Sequence, residues 1–393
     1  MRLHKLSKVT PYPVPIKNNF IRKTSHTVKH LKYLILLQAL LAINRLYLFP
    51  LKKCVTYSAY PYCITLTLIV AFIMTQNESW TLAHFVFKYT LCLEYVFLVL
   101  TSFIANKKRL ATFFRNLNSV DDLLNISKDI SVIDSTQRSV LWIITSIAFY
   151  VMEYILINIY LVFYLDTSLY TLYIIALAHD CEQIFFFVLM KNIYLRLKVI
   201  KAHVFKVCNV DETSRKQDKV EALSNNIQLD ISSLHRVYDL LHKCSEQLNS
   251  SMSFPMILIF LTAGLCTIML LKMTVSAVQT ISTTSFLAKS TIFYLLARCF
   301  KYTMMVVIPC YYASITGTQV SSIRTMLHDA IYTKQLDKIE RRKVKAFFQL
   351  TRENEFSYAL GGVIRLNMSL PLSYMSLCTT YLVITIQFSK FFD

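Results

Sequence analysis

Apolar residues gather in seven stretches near the length of about 20 residues that a helix needs to cross lipid hydrocarbon. They fall at about 55–75, 82–104, 139–164, 169–195, 253–274, 290–312 and 369–389. An eighth stretch, 33–50, is shorter and carries Asn44 and Arg45 near its end. Two connecting segments show a different pattern. Val220, Leu223, Ile227, Ile231, Leu234, Tyr238, Leu241 and Leu248 recur at three- and four-residue spacing, which predicts a long amphipathic helix feeding the fifth span. A weaker stripe over 334–350, formed by Leu336, Ile339, Val344, Phe347 and Leu350 and interrupted by Glu340 and Lys343, predicts a second. Such faces must be covered by each other, by other subunits or by the membrane surface.

Charge gives the spans a direction. The first 32 residues hold Arg2, Lys5, Lys8, Lys17, Arg22, Lys23, Lys29 and Lys32 and no acid. The connections after spans two, four and six are also rich in Lys and Arg. The stretches 76–81, 165–168 and 275–288 contain none. Positive residues stay in the cytoplasm, so the N-terminus is predicted inside and the C-terminus outside. An eighth crossing at 33–50 would place the basic N-terminus outside. That segment is therefore read as an interfacial or re-entrant helix, with Arg45 and Lys52–Lys53 snorkelling to the headgroups.

Composition narrows the class. Of 393 residues 55% are hydrophobic and 17% charged, where a soluble domain carries roughly 25% charged residues. Four glycines in the whole chain leave no room for a Rossmann fingerprint or a P-loop. The net charge of +19 suits an anionic cytoplasmic leaflet, and no nucleic-acid partner is expected. Ten scattered cysteines form no CxxC pair. His179-Asp180-Cys181 lacks a second ligand pair at metal spacing, and no HExxH or nucleophile elbow occurs. Neither an enzyme nor a cofactor is expected. The N-terminus shows no h-region of a cleavable signal.

Seven spans with an inside N-terminus reverse the arrangement of G-protein-coupled receptors. The last span also reads Ser-Leu-Pro-Leu-Ser-Tyr at 369–374, where rhodopsin-like receptors carry Asn-Pro-x-x-Tyr. A secondary transporter would show matching Gly/Pro-interrupted spans in two halves. None is evident here.

The final span ends Thr380-Tyr381-Leu-Val-Ile-Thr-Ile-Gln387-Phe388. This run resembles the seventh-helix signature of insect gustatory receptors: Thr-Tyr, five apolar-leaning residues, then Gln-Phe. Thr385 is a departure within the five. The likeness extends to chain length, span count, reversed topology, the long loop before span five and the Phe356-Ser-Tyr-Ala-Leu run. It implies a tetrameric ligand-gated cation channel in the plasma membrane of gustatory receptor neurons. Subunits would be homo- or hetero-tetrameric, and cations would pass between four last helices. A cytoplasmic anchor would hold the tetramer, and each subunit would bind its tastant among the first six spans.

The resemblance divides the chain into a basic cytoplasmic N-terminus (1–32), an interfacial helix (33–51), a ligand-binding bundle of spans one to six (52–312, with a cytoplasmic loop at 197–251), and an anchor helix with the pore-lining seventh span (313–393). The fold class is all-α integral membrane. Physical reasoning supports the pore face. Thr380, Ile384, Gln387 and Phe391 share one side of the last helix. A lipid-facing Gln would leave its amide unpaired, whereas a ring of amides can replace part of a cation's hydration. A ring of Ile384 could close by dewetting. Tyr381 is expected to pack behind this face against a neighbouring span, and Pro371 suits a first helical turn.

Charges at membrane depth are Lys88, Glu94, Glu153, Asp180, Glu182, Arg298 and Lys301. Glu153 or Asp180 is expected to pair with Arg298; Lys301 and Glu182 are further ion-pair or coupling candidates. The family's pocket depth selects Tyr89, Glu94, Glu153, Tyr154, Asn158, Tyr170, Tyr173, Asp180 and Tyr294 as ligand contacts, aromatic walls with a few polar groups. Bitter plant compounds are the expected ligands, sugars the alternative. Asn77 in Asn-Glu-Ser is the glycosylation candidate in the first outside loop.

Overall fold

The computed structural model describes Val28, 31–49, 53–75, 82–104, 107–126, Thr145, Ala148, 167–208, 229–280, 286–333 and 335–392. These residues are mostly helical, with short connecting turns and one small hairpin. The helices are α1 (Lys32–Leu40), α2 (Lys53–Thr75), α3 (Leu82–Ile104), α4 (Lys107–Leu124), α5 (Thr167–Cys208), α6 (Ile231–Thr280), α7 (Phe286–Thr333), α8 (Lys338–Glu353) and α9 (Ser369–Phe392). Six of the seven expected spans lie within α2, α3, α5, α6, α7 and α9. The seventh, 139–164, lies outside the described residues except for Thr145 and Ala148.

By length and apolarity Tyr57–Thr75, Thr171–Cys208 and Ile231–Val275 qualify as spans, and Lys88–Phe103 joins Lys107–Leu124 through a 63° bend. The α5 segment is the most enclosed of these and forms the centre of the bundle. Helix α6 has 50 residues, about 75 Å at 1.5 Å per residue, far more than the ~30 Å of hydrocarbon. Its first half is the expected amphipathic helix. Ile231, Leu234, Tyr238, Leu241 and Leu248 are all buried, while Val220, Leu223 and Ile227 lie outside the described residues. Amphipathic and spanning halves join without a break because both use the same backbone hydrogen bonding; only the width of the apolar face changes.

Helix α8 closes this pole, which the charge pattern assigns to the cytoplasm. Asp337 caps its first turn by accepting the Lys338 N–H at 2.7 Å. Val344, Phe347 and Thr351 are buried against the bundle. Ile339, expected on that stripe, is 63% exposed, because the contact face turns toward Thr351. The carbonyls at its C-terminal end are taken up from two helices. Arg324 of α7 donates to the Thr351 carbonyl at 2.8 Å, and the Tyr238 hydroxyl of α6 to Asn354 at 2.9 Å. Burial pushes the Tyr238 phenol well above its ordinary pKa, so it remains a donor.

A hairpin links α8 to α9. Strands β1 (Ala359–Leu360) and β2 (Ile364–Arg365) pair antiparallel, Ala359 opposite Arg365. Its turn needs positive φ at Gly361 (61°) and Gly362 (73°).

The segment before α2 differs from expectation. Helix α1 has nine residues, a turn follows with Ala42 at φ 66°, and Leu46–Leu48 form a 3-10 turn. Arg45 does not snorkel. It is 1% exposed and donates from two nitrogens to Glu182, at 2.8 and 2.5 Å. Its side chain turns inward because α5 presents a carboxylate at the same height, and a buried carboxylate needs a counter-charge.

Candidate ligand site and the last helix

Helix α5 carries four charged or ionisable residues that reach four different elements. His179 Nδ1 lies 2.7 Å from Glu94 Oε1 of α3. Asp180 meets Lys301 of α7 at 2.7 Å. Glu182 holds Arg45, with the Gln38 amide of α1 3.3 Å away. Deeper, Arg196 grips both oxygens of Asp121 of α4, at 2.6 and 2.7 Å. A helix turns about 100° per residue, so His179, Asp180 and Glu182 necessarily point at different neighbours. Charges at this depth persist because each is paired.

Gln183 stands about 40° around the helix from His179, between His179 and Asp180. It is 3% exposed, and among the described residues neither end of its amide has a hydrogen-bond partner. Among those residues His179 Nε2 and Glu94 Oε2 also lack hydrogen-bond partners. Tyr302 stands edge-on to His179 with ring centres 6.1 Å apart, and the Lys301 ammonium lies 5.4 Å from the Tyr302 ring centre. Glu94, His179 and Lys301 lie roughly 18–23 Å along their helices from the predicted outer ends, near mid-bilayer. The cluster offers hydrogen-bonding atoms and an aromatic wall in a dry interior, with its charges balanced in pairs. Among the described residues no group of three His, Cys, Asp or Glu could hold a metal ion.

Helix α9 packs on α6 and α7 through a narrow stripe. Pro371 and Cys378 are buried and Tyr374 is partly buried. Much of the rest of its described surface is exposed within one chain. Leu372, Met375, Leu377, Tyr381, Val383 and Ile384 are exposed, as are Thr380 and Gln387.

Residues 54–392 match the 7tm chemosensory receptor family. This chain belongs to that family of insect chemoreceptors. The structure of the insect olfactory receptor OR5 from Machilis hrabei is similar over 92% of this chain and 98% of that one, with TM-score 0.60 at 15% identity. The structure of OR5 in complex with eugenol covers the same shares at TM-score 0.56 and 15% identity. No curated protein sequence matches. The 7tm chemosensory receptor described here is thus an all-α membrane protein.

Several residues singled out from the receptor's sequence come together. Glu94, Asp180 and Lys301 meet in the cluster, and Glu182 lies on its flank with Arg45. Asp180 finds its ion pair in Lys301, three residues beyond the Arg298 expected for it. Lys88 is buried in α3, Tyr173 is partly buried in α5, and Tyr89 is 38% exposed. Glu153, Tyr154, Asn158 and Asn77 lie outside the described residues, as do the side chains of Tyr170, Tyr294, Phe388 and Phe391.

Tyr381, expected to pack against a neighbouring span, is 52% exposed. Sequence reasoning weighed His179 only as a metal ligand and passed over Gln183 and Tyr302. A search for neutral polar residues in mid-span, at helical spacing from the charges, would have found Gln183.

Proposed function

We propose that this receptor is a gustatory, ligand-gated, non-selective cation channel. Four chains, identical or mixed, surround one pore lined by α9 in the plasma membrane of gustatory receptor neurons. The supporting observation is the bare face of α9. Thr380, Ile384 and Gln387 share one side and are exposed in the single chain, yet a Gln facing lipid would leave its amide unpaired. Four such faces around an axis give each Gln387 water and neighbouring amides. Ile384, one turn away, forms the dewetting gate.

The tastant binds among α3, α5 and α7, where Gln183, His179 and Glu94 hold unused hydrogen-bonding atoms beside Tyr302. Bitter plant compounds are the proposed class, with sugars the class to screen against them. OR5 has been solved in complex with eugenol, which fits a small organic ligand in this fold.

The test is whole-cell recording from cells expressing this chain, screened with bitter compounds and sugars beside Gln387→Ala and Gln183→Leu. A ligand-evoked cation current is expected. Gln387→Ala should change its ion selectivity, and Gln183→Leu should raise the half-maximal ligand concentration. Evoked current with selectivity indifferent to Gln387 would remove α9 as the pore wall. Saturable uptake without conductance would make the protein a transporter.

A further inference from the structure

Helices α2 and α3 border an open groove of about 280 Å³ lined by Tyr60, Ile64, Leu68, Val96, Leu100 and Phe103, among others. Thr67 also lines it, but its hydroxyl donates to the Cys63 carbonyl at 2.7 Å, so that hydroxyl is already engaged. Ile64, Leu68 and Leu100 are 55%, 64% and 45% exposed, which leaves the groove open along the outside of the bundle. Tyr60 and Phe103, ring centres 5.2 Å apart, close one end. From there the lining runs eight residues along α2 and seven along α3, roughly 12 Å, most of the ~15 Å of hydrocarbon in one leaflet.

The closed end lies at the predicted cytoplasmic interface. Beyond Phe103 the chain bends by 63° into α4, whose first residues are Lys107, Lys108 and Arg109. Arg109 is committed to the Ser250 carbonyl at 3.1 Å. Lys107 and Lys108 are exposed, and the Lys107 ammonium lies 5.8 Å from the Tyr47 ring centre. An apolar slot most of a leaflet deep, with two exposed lysines four and five residues beyond Phe103 in the chain, matches one kind of occupant. Within a bilayer acyl chains are the most abundant groups at that depth, and the lysines favour one with an anionic headgroup over a neutral sterol.

We infer that the α2–α3 groove binds an anionic phospholipid of the cytoplasmic leaflet, its acyl chain along Ile64, Leu68 and Leu100 and its headgroup on Lys107 and Lys108.

The test is native mass spectrometry of full-length receptor extracted from vesicles of equal palmitoyl-oleoyl phosphatidylserine and phosphatidylcholine. Retained phosphatidylserine should exceed phosphatidylcholine. Changing Lys107→Gln and Lys108→Gln should remove the preference, about fivefold for each lysine. These positions are exposed, so folding is expected to survive. Leu100→Trp, which fills the groove, should lower retention of both lipids. Equal retention by the native chain, a preference indifferent to the lysines, or displacement of phosphatidylserine by cholesterol at equal content would each overturn the inference.

Discussion

The hydroxyls of Thr267 and Tyr374 lie 3.0 Å apart and join α6 to α9 inside the bundle. Gly264, one turn back on α6, leaves the Tyr374 ring room: a Cβ there would meet Tyr374 Cε2 at 3.5 Å. On α7 the Thr303 hydroxyl meets Met375 Sδ at 3.6 Å. The residues next in sequence face the other way. Cys266 lies beside Tyr302, and Tyr302 stands against His179. Contacts with the His179–Tyr302 cluster and contacts with α9 are therefore made from adjacent positions on the same two helices.

In the proposed channel, losing the Thr267–Tyr374 bond should shift the balance between closed and open states. Such a bond contributes about 1 kcal/mol, or roughly fivefold in an equilibrium. Tyr374→Phe and Thr267→Val should each change basal current and half-maximal ligand concentration by up to about that factor. The double variant should match either single one. Additive effects in a double-mutant cycle would show that the pair is not coupled.

The Arg45–Glu182 pair is buried on both sides, at 1% and 2% exposure. Glu182→Leu should destabilise by about 3–5 kcal/mol, because Arg45 is then left buried without a counter-charge. Arg45→Met with Glu182→Leu together should recover most of that loss. Thermal unfolding in detergent, followed by size-exclusion chromatography, reads both.

Gly361 combines φ of 61° with a tight neighbour: an added Cβ would lie 3.0 Å from Ile257 Cδ1. Its N–H also donates to Ser253 Oγ of α6. Gly362 shares the positive φ but has open space. Gly362→Ala should cost about 1–2 kcal/mol from backbone alone. Gly361→Ala should cost somewhat more, since the end of the Ile257 side chain must also give way by a few tenths of an ångström. Melting temperatures of the two variants, compared side by side, measure the difference.

Ile384→Ser should leave the channel conducting without ligand, because a hydroxyl ring stays wetted where an isoleucine ring dries. Leu372→Ser, a change on an exposed position near the start of α9, should leave basal current unchanged. Basal conductance at matched surface expression distinguishes the two. A silent Ile384→Ser would move the gate elsewhere.

The apolar cores of six helices were legible in the chain, though α5 and α7 run well past the apolar runs that announced them, and the bias of Lys and Arg predicts their direction across the membrane. Length of apolar run and bias of Lys and Arg are local quantities, and a bilayer reads them one segment at a time. The continuous stripe from Ile231 to Leu248 likewise announced the long extension of α6. The Thr-Tyr…Gln-Phe run pointed to the family before any contact was known.

Partners were another matter. Glu94 with His179, Asp180 with Lys301 and Glu182 with Arg45 join residues 85, 121 and 137 positions apart. Sequence alone listed most of these charges but not their pairing. It sent Arg45 to the headgroups, because a basic residue near a helix end usually does go there. Which base reaches which acid depends on how α5 is rotated among its neighbours, and that rotation is set by packing of side chains from all of them at once. The same packing left α9 bare along the face that its polar residues share.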